Sequence, residues 1–169
     1  MKPIISIIMG STSDLPVMEK ACKWLNDNKI PFEVNALSAH RTPEAVENFA
    51  RSARQRGIKV IIAAAGMSAA LPGVIAASTP VPVIGVPIKG MLDGLDALLS
   101  IVQMPPGIPV ATVGVNAAQN AAILAAEIIA LADEEVARKV DAWKAGLGAK
   151  IEKANNDLAN IKDYEFKCN

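Results

Sequence analysis

Short apolar runs rich in β-branched residues alternate with helix-length amphipathic segments along almost the whole chain, and this alternation permits few folds. The first run, Ile4-Ile5-Ser6-Ile7-Ile8-Met9, is almost continuously apolar, as in a strand buried on both faces. A polar turn, Gly10-Ser11-Thr12-Ser13-Asp14, leads into a predicted helix over 15–28, where Pro16 is tolerable only in the first turn. Strands are predicted again over 32–37, 59–64, 82–86 and 110–115, with helices over 43–55, 74–78 and 93–103. Gly57 stands where a left-handed glycine would close the second helix. The remainder reads as helical, in two pieces. Such alternation predicts a parallel sheet with helices on both faces, and right-handed crossovers restrict its topology. Five strands fit an α/β, flavodoxin-like three-layer sandwich of order 2-1-3-4-5, with ligands bound at the carboxyl ends where the order switches. One domain spans 1–169, with a core over about 3–132 and a C-terminal helical extension over about 133–169.

The single histidine falls in such a strand-to-helix turn, Ser38-Ala39-His40-Arg41-Thr42-Pro43. Thr42 suits an N-cap, Pro43 the first helical position, and Glu44 the positive end of the helix. His40 and Arg41 would therefore lie where helix amides receive an anion. A cationic neighbour and a helix N-terminus both disfavour imidazolium, so a neutral His40, fit for a general base, is expected. Alone, His40 could be a capping or surface residue and Arg41 a solvated charge. Together with Ser38 they offer a base, a phosphate clamp and a hydroxyl donor within one turn.

Charge and composition remove several function classes. The 17 basic and 17 acidic residues cancel, so no basic field argues for nucleic acid or an anionic membrane. Hydrophobic content is 51%, yet no apolar run approaches the ~18 residues of a membrane span. The start of the chain lacks the pattern of a signal peptide, and a soluble, cytoplasmic protein is expected. Cys22, read as helical, and Cys168, in the tail, offer no metal spacing. With one histidine and no cysteine cluster, no metal site is expected.

Three further segments admit two readings each. The Gly10–Asp14 turn suits a phosphate through amides and hydroxyls of Ser11 and Ser13, with Asp14 better matched to a ribose hydroxyl; it also reads as an ordinary turn capped by Ser13 or Asp14. It is neither a Walker loop nor a dinucleotide fingerprint. The small-residue stretch 63–73 reads as tight helix–sheet packing or as a backbone-lined wall around a small heterocycle, with Gly66, Ser68 and Leu71 as candidate contacts. The loop Met104-Pro105-Pro106-Gly107-Ile108-Pro109 is a rigid connection that could also border the crevice. Separately, the helix over 116–132 is apolar on nearly every face, which points to burial between subunits; cover by the chain's own C-terminal helix is the alternative.

Read together, Met9-Gly10-Ser11-Thr12-Ser13-Asp14, Ser38-Ala39-His40-Arg41-Thr42-Pro43, Leu71-Pro72-Gly73, Pro82-Val83-Ile84-Gly85-Val86-Pro87 and Ser100-Ile101-Val102-Gln103-Met104-Pro105 resemble the class I phosphoribosylaminoimidazole carboxylase (PurE) family. The resemblance covers about residues 3–145. It implies a purine-biosynthetic mutase that moves a carboxylate from the exocyclic nitrogen of an imidazole ribonucleotide to ring carbon four. It further implies no metal, no organic cofactor, and a homo-octamer with sites near subunit boundaries. Ser11, Ser13 and Asp14 would hold the ribose phosphate end, Ser38 and Arg41 would help clamp phosphate, and His40 would carry protons. One departure stands out: class I relatives usually have a second histidine just before Leu-Pro-Gly, where this chain has Ala70. That keeps open the class II reaction, direct carboxylation of the aminoimidazole ribonucleotide by carbon dioxide. A non-catalytic flavin-type carrier is the third reading; the absence of Trp or Tyr from the predicted crevice turns argues against it.

Overall fold

The computed structural model describes residues 2–167; Met1, Cys168 and Asn169 lie outside the described residues. Five parallel strands form one sheet of order 2-1-3-4-5: β1 (Ile5–Met9), β2 (Phe32–Ala36), β3 (Val60–Ala65), β4 (Val83–Pro87) and β5 (Ala111–Thr112). Among the described residues seven α-helices accompany the sheet: α1 (Leu15–Asp27), α2 (Pro43–Arg56), α3 (Leu71–Ser78), α4 (Leu95–Val102), α5 (Ala118–Ala130), α6 (Glu134–Ala145) and α7 (Leu147–Ala159). The expected fold is thus present, but the segment after β5 forms three helices rather than two, and residues 161–167 are not helical.

β1, β3 and β4 are buried on both faces, which explains their unbroken apolar sequences. Ile5, Ile7 and Met9 pack with Val60, Ile62 and Ile84 against α1, α5 and α6. Ile8, Ile61, Ala63 and Val83 pack against α2, α3 and α4. Gly85 in β4 allows that second layer to sit close, since a Cβ there would run into Ile101 of α4. At the edge beside β1, Ser6 is fully buried and donates to Glu33 Oε1 (2.8 Å), which also receives Arg56 Nη1 (2.6 Å). Arg56 in turn lies over the Phe49 ring, 5.0 Å from its centroid. Burial pushes the Glu33 carboxyl up, but hydrogen bonds from Arg56 and Ser6 outweigh it and hold the group below its usual range.

Several expectations are corrected. α3 begins at Leu71, not at 74, because Pro72 fits its first turn. β5 keeps only two residues at the sheet edge. The largest correction concerns α5. Its alanines Ala118, Ala121, Ala122, Ala125 and Ala126 are fully buried by β3, β4, α1 and α6 of the same chain. Trp143 of α6 meets Trp24 of α1 edge-on, with ring centroids 5.5 Å apart, and holds this cover down. The alanine face of α5 is therefore covered within the chain, whereas Ile123, Leu124 and Ile128 are only partly buried and Leu131 is exposed. No described helix is long and apolar enough to cross a membrane.

Candidate active site

The segments leaving β1, β2, β3 and β4 meet at the carboxyl edge of the sheet and enclose a cavity of about 310 Å³. Ser11, Ser13, Asp14, Ser38, His40, Arg41, Gly66 and Leu71 all line it, together with Ala70. Ser68 does not; it is exposed in the turn after β3 and lies outside the lining. The Pro-rich loop is also elsewhere: Gly107 and Pro109 border a different hollow beside Pro80, Pro82 and Val83, at the start of β4.

After β1 the chain makes a single 3-10 turn over Thr12–Asp14. Ser11 caps this turn, Ser13 N donating to Ser11 Oγ (3.2 Å), while Asp14 holds the N-cap position of α1 as expected but makes no side-chain cap bond. Ser13 Oγ donates to Asp14 Oδ1 (3.3 Å). Burial raises the Asp14 carboxyl above its usual value, and the Ser13 bond offsets part of that rise.

After β2 the capping role expected of Thr42 is replaced by another. Its hydroxyl turns back, accepting from Ser38 N (3.0 Å) and donating to Ser38 O (3.1 Å). The turn carrying His40 is thereby closed on itself. Ser38 Oγ accepts from Arg41 N and Nε (both 3.3 Å), and Arg41 Nη2 donates to Gly10 O (2.8 Å). Arg41 thus ties the second loop to the first, while His40 remains exposed at the cavity wall. Pro43 and Glu44 open α2 as expected.

After β3 the wall is made by backbone. Met67 (φ 55°) and Ala69 (φ 39°) adopt left-handed conformations, and Ala69 N bonds Gly66 O (3.0 Å). Such residues cost of order 1 kcal/mol each, so surrounding structure holds this turn. Neither α2 nor α3 has a side-chain N-cap bond, which leaves first-turn amides available to water or an anion.

Sequence reasoning missed the fourth contribution, Ile88, Lys89 and Gly90 after β4. The signal was available: order 2-1-3-4-5 sets β4 beside β3, so its exit must open at the same edge. No Trp, Tyr or Phe lines the cavity. Among the described residues no group of three or more His, Cys, Asp or Glu is arranged to hold a metal ion.

Residues 4–150 match the AIR carboxylase family. An N5-carboxyaminoimidazole ribonucleotide mutase of Pyrococcus abyssi is 58% identical over 143 residues, covering 84% of this chain and 82% of that protein. A protein of the same name from Thermotoga maritima is 53% identical over 165 residues, covering 97% and 96%. The crystal structure of Treponema denticola PurE superposes with a TM-score of 0.83 at 32% identity, covering 92% of this chain and 98% of that one. Sequence and fold therefore agree, and the chain belongs to the AIR carboxylase family, in its class I PurE branch.

Proposed function

We infer that this cavity performs the N5-carboxyaminoimidazole ribonucleotide mutase reaction of purine biosynthesis, an isomerisation yielding 4-carboxy-5-aminoimidazole ribonucleotide. The observation that carries this reading is the convergence of His40 with Ser11, Ser13, Asp14, Ser38 and Arg41 on one cavity, in a chain 58% identical to a named mutase. The hydroxyls, Arg41 and the open amides of α2 suit the phosphate; Asp14 suits a ribose hydroxyl. The reaction then proceeds within the substrate's own atoms. The bond between the exocyclic nitrogen and the carboxyl carbon breaks, its electron pair stays on nitrogen, and nitrogen takes a proton. Carbon dioxide remains against the apolar wall of Ala69, Ala70 and Leu71, where proximity replaces activation by a cofactor. Ring carbon four, enamine-like, attacks it and forms the new carbon–carbon bond. His40, neutral once it has given its proton to the exocyclic nitrogen, removes the proton from that carbon and restores aromaticity, so the proton count closes.

Apolar exposure supports a homo-oligomer, proposed as an octamer, through α4 and its approach. Leu92, Leu95, Leu99 and Val102 are 73, 53, 47 and 48% exposed, and the last three follow helical spacing on one face. Leu95→Glu with Leu99→Glu should shift the sedimentation profile to smaller species; an unchanged profile removes this face from the assembly. A cytoplasmic location, with a small ribonucleotide as the only substrate and no nucleic acid or membrane partner, completes the proposal.

The deciding experiment supplies the carbamate and the decarboxylated ribonucleotide separately in bicarbonate-depleted buffer. Efficient turnover of the carbamate there is the expected result. Turnover only of the decarboxylated compound with added carbon dioxide would transfer the site to the class II reaction, the reading for which Ala70 speaks. Yellow colour of the purified protein at stoichiometric yield would instead revive the flavin carrier.

A further inference from the structure

Two cations line the cavity, and they stand on opposite sides of it. Arg41 follows β2 and Lys89 follows β4, with β1 and β3 between them. Three strand spacings separate those exits by about 14 Å, a span suited to an elongated ligand with an anionic group at each end. We propose that Lys89 binds the migrating carboxylate of substrate and product, a role that rests on the mutase reading above.

The backbone at Lys89 is a built position. Its N–H donates to Asn116 Oδ1 (2.9 Å), and Asn116 N donates to Pro87 O (2.8 Å). Asn116 adopts a left-handed conformation (φ 58°) in making both bonds. On the other side lies Gly94 (φ 89°), where a Cβ would come within 3.2 Å of Lys89 Cα. Leu92 and Asp93 precede it with φ of 47° and 56°, so three successive left-handed residues wrap the chain back past Lys89.

Charge assigns the ligand group. Asp14 lies on the Arg41 side, so a phosphate there needs Arg41 and the helix amides for itself. On the far side the open first-turn amides of α3 stand among Ala65, Ala69, Leu71 and Ile88, and a carboxylate held there is costly without a cation beside them. Lys89 Nζ pairs with Asp93 Oδ1 (3.0 Å), and the two side chains are 58% and 88% exposed. Such a pair is weak and yields readily to a ligand. Because the carboxylate is present in substrate and product but neutral as carbon dioxide between them, Lys89 contributes to binding and orientation and adds nothing to the decarboxylation step.

The test compares Lys89→Gln, Lys89→Arg and wild type, all checked for equal thermal melting. Titration calorimetry uses two probes, aminoimidazole ribonucleotide without the carboxylate and 4-carboxy-5-aminoimidazole ribonucleotide with it. Lys89→Gln should weaken the carboxylated ligand about tenfold to a hundredfold and leave the other within about twofold. In turnover it should raise KM for the carbamate by a similar factor without lowering kcat, and Lys89→Arg should restore most of the loss. Equal weakening of both probes would overturn the proposal in favour of a phosphate or packing role. No weakening of either would reduce Lys89 to a solvated partner of Asp93. Failure of the wild type to turn over the carbamate would instead sink the mutase reading, and this proposal with it.

Discussion

On the side formed after β1 and β2, hydroxyls, an imidazole, a guanidinium and a carboxyl line the cavity; on the side formed after β3 and β4, one ammonium stands among apolar side chains and bare backbone. The first side recognises by chemical group and needs particular residue types at fixed spacing. The second recognises by shape, and its residues are chosen for conformation and smallness. Substitutions should therefore act differently on the two sides, in kcat or specific affinity on one and in fit on the other.

The largest expected effect tests the first side directly. His40→Asn should lower kcat by about a hundred- to ten-thousand-fold while ribonucleotide binding persists, as measured by steady-state turnover and calorimetry. Near-normal turnover would remove His40 from proton transfer. Arg41→Met comes next. Loss of its bonds to Ser38 and Gly10, and of its charge toward phosphate, should raise KM about tenfold to a hundredfold with a smaller change in kcat. A kcat defect at unchanged KM would break the assignment of Arg41 to binding.

A subtler contrast comes from pH. The Asp14 carboxyl is raised above 3.8 chiefly by burial. Its folded value exceeds its unfolded one, so folding favours the protonated form and the carboxylate lowers stability as pH rises through that window. Substrate binding through the carboxylate has the opposite dependence and weakens as pH falls through the raised value. Asp14→Asn should therefore melt slightly higher at neutral pH and lose the acid limb of the kcat/KM profile. A profile that keeps its acid limb would release Asp14 from the ribose.

The smallest expected effect lies beneath the cavity and should touch neither side. Glu33 is held below 4.5 because its bonds to Arg56 and Ser6 outweigh its desolvation. Its stabilisation is present above the unfolded value and is lost as pH falls through the folded one. Glu33→Gln should reduce stability by about 1 kcal/mol at neutral pH, with the deficit closing in acid and KM unchanged, read from denaturant melts at several pH values.

This division also explains what could be read from the chain. His40 and Arg41 were legible because a strand end and Pro43 bracket them, leaving only a turn between. Ser11, Ser13 and Asp14 were legible for the same reason. The geometry of Met67 and Ala69 was not, since left-handed backbone at non-glycine residues has no compositional mark. Lys89 was overlooked although topology implied it, because a lone lysine after a strand carries no motif. The cover of the alanine face of α5 stayed open between two readings because hydrophobicity records that a face is buried and not which chain buries it; what decides it is the following helix, α6, seated through Trp143 on Trp24 near the other end of the chain.

The Trp24–Trp143 contact has a practical consequence at the bench. These are the two tryptophans of the chain, and both sit in the layer of α1, α5 and α6, outside the cavity lining. Intrinsic indole emission will therefore report whether α6 is seated on α1 and will be nearly blind to ribonucleotide. An emission change on heating that precedes loss of turnover would mark undocking of the C-terminal helices as an event separate from collapse of the active centre.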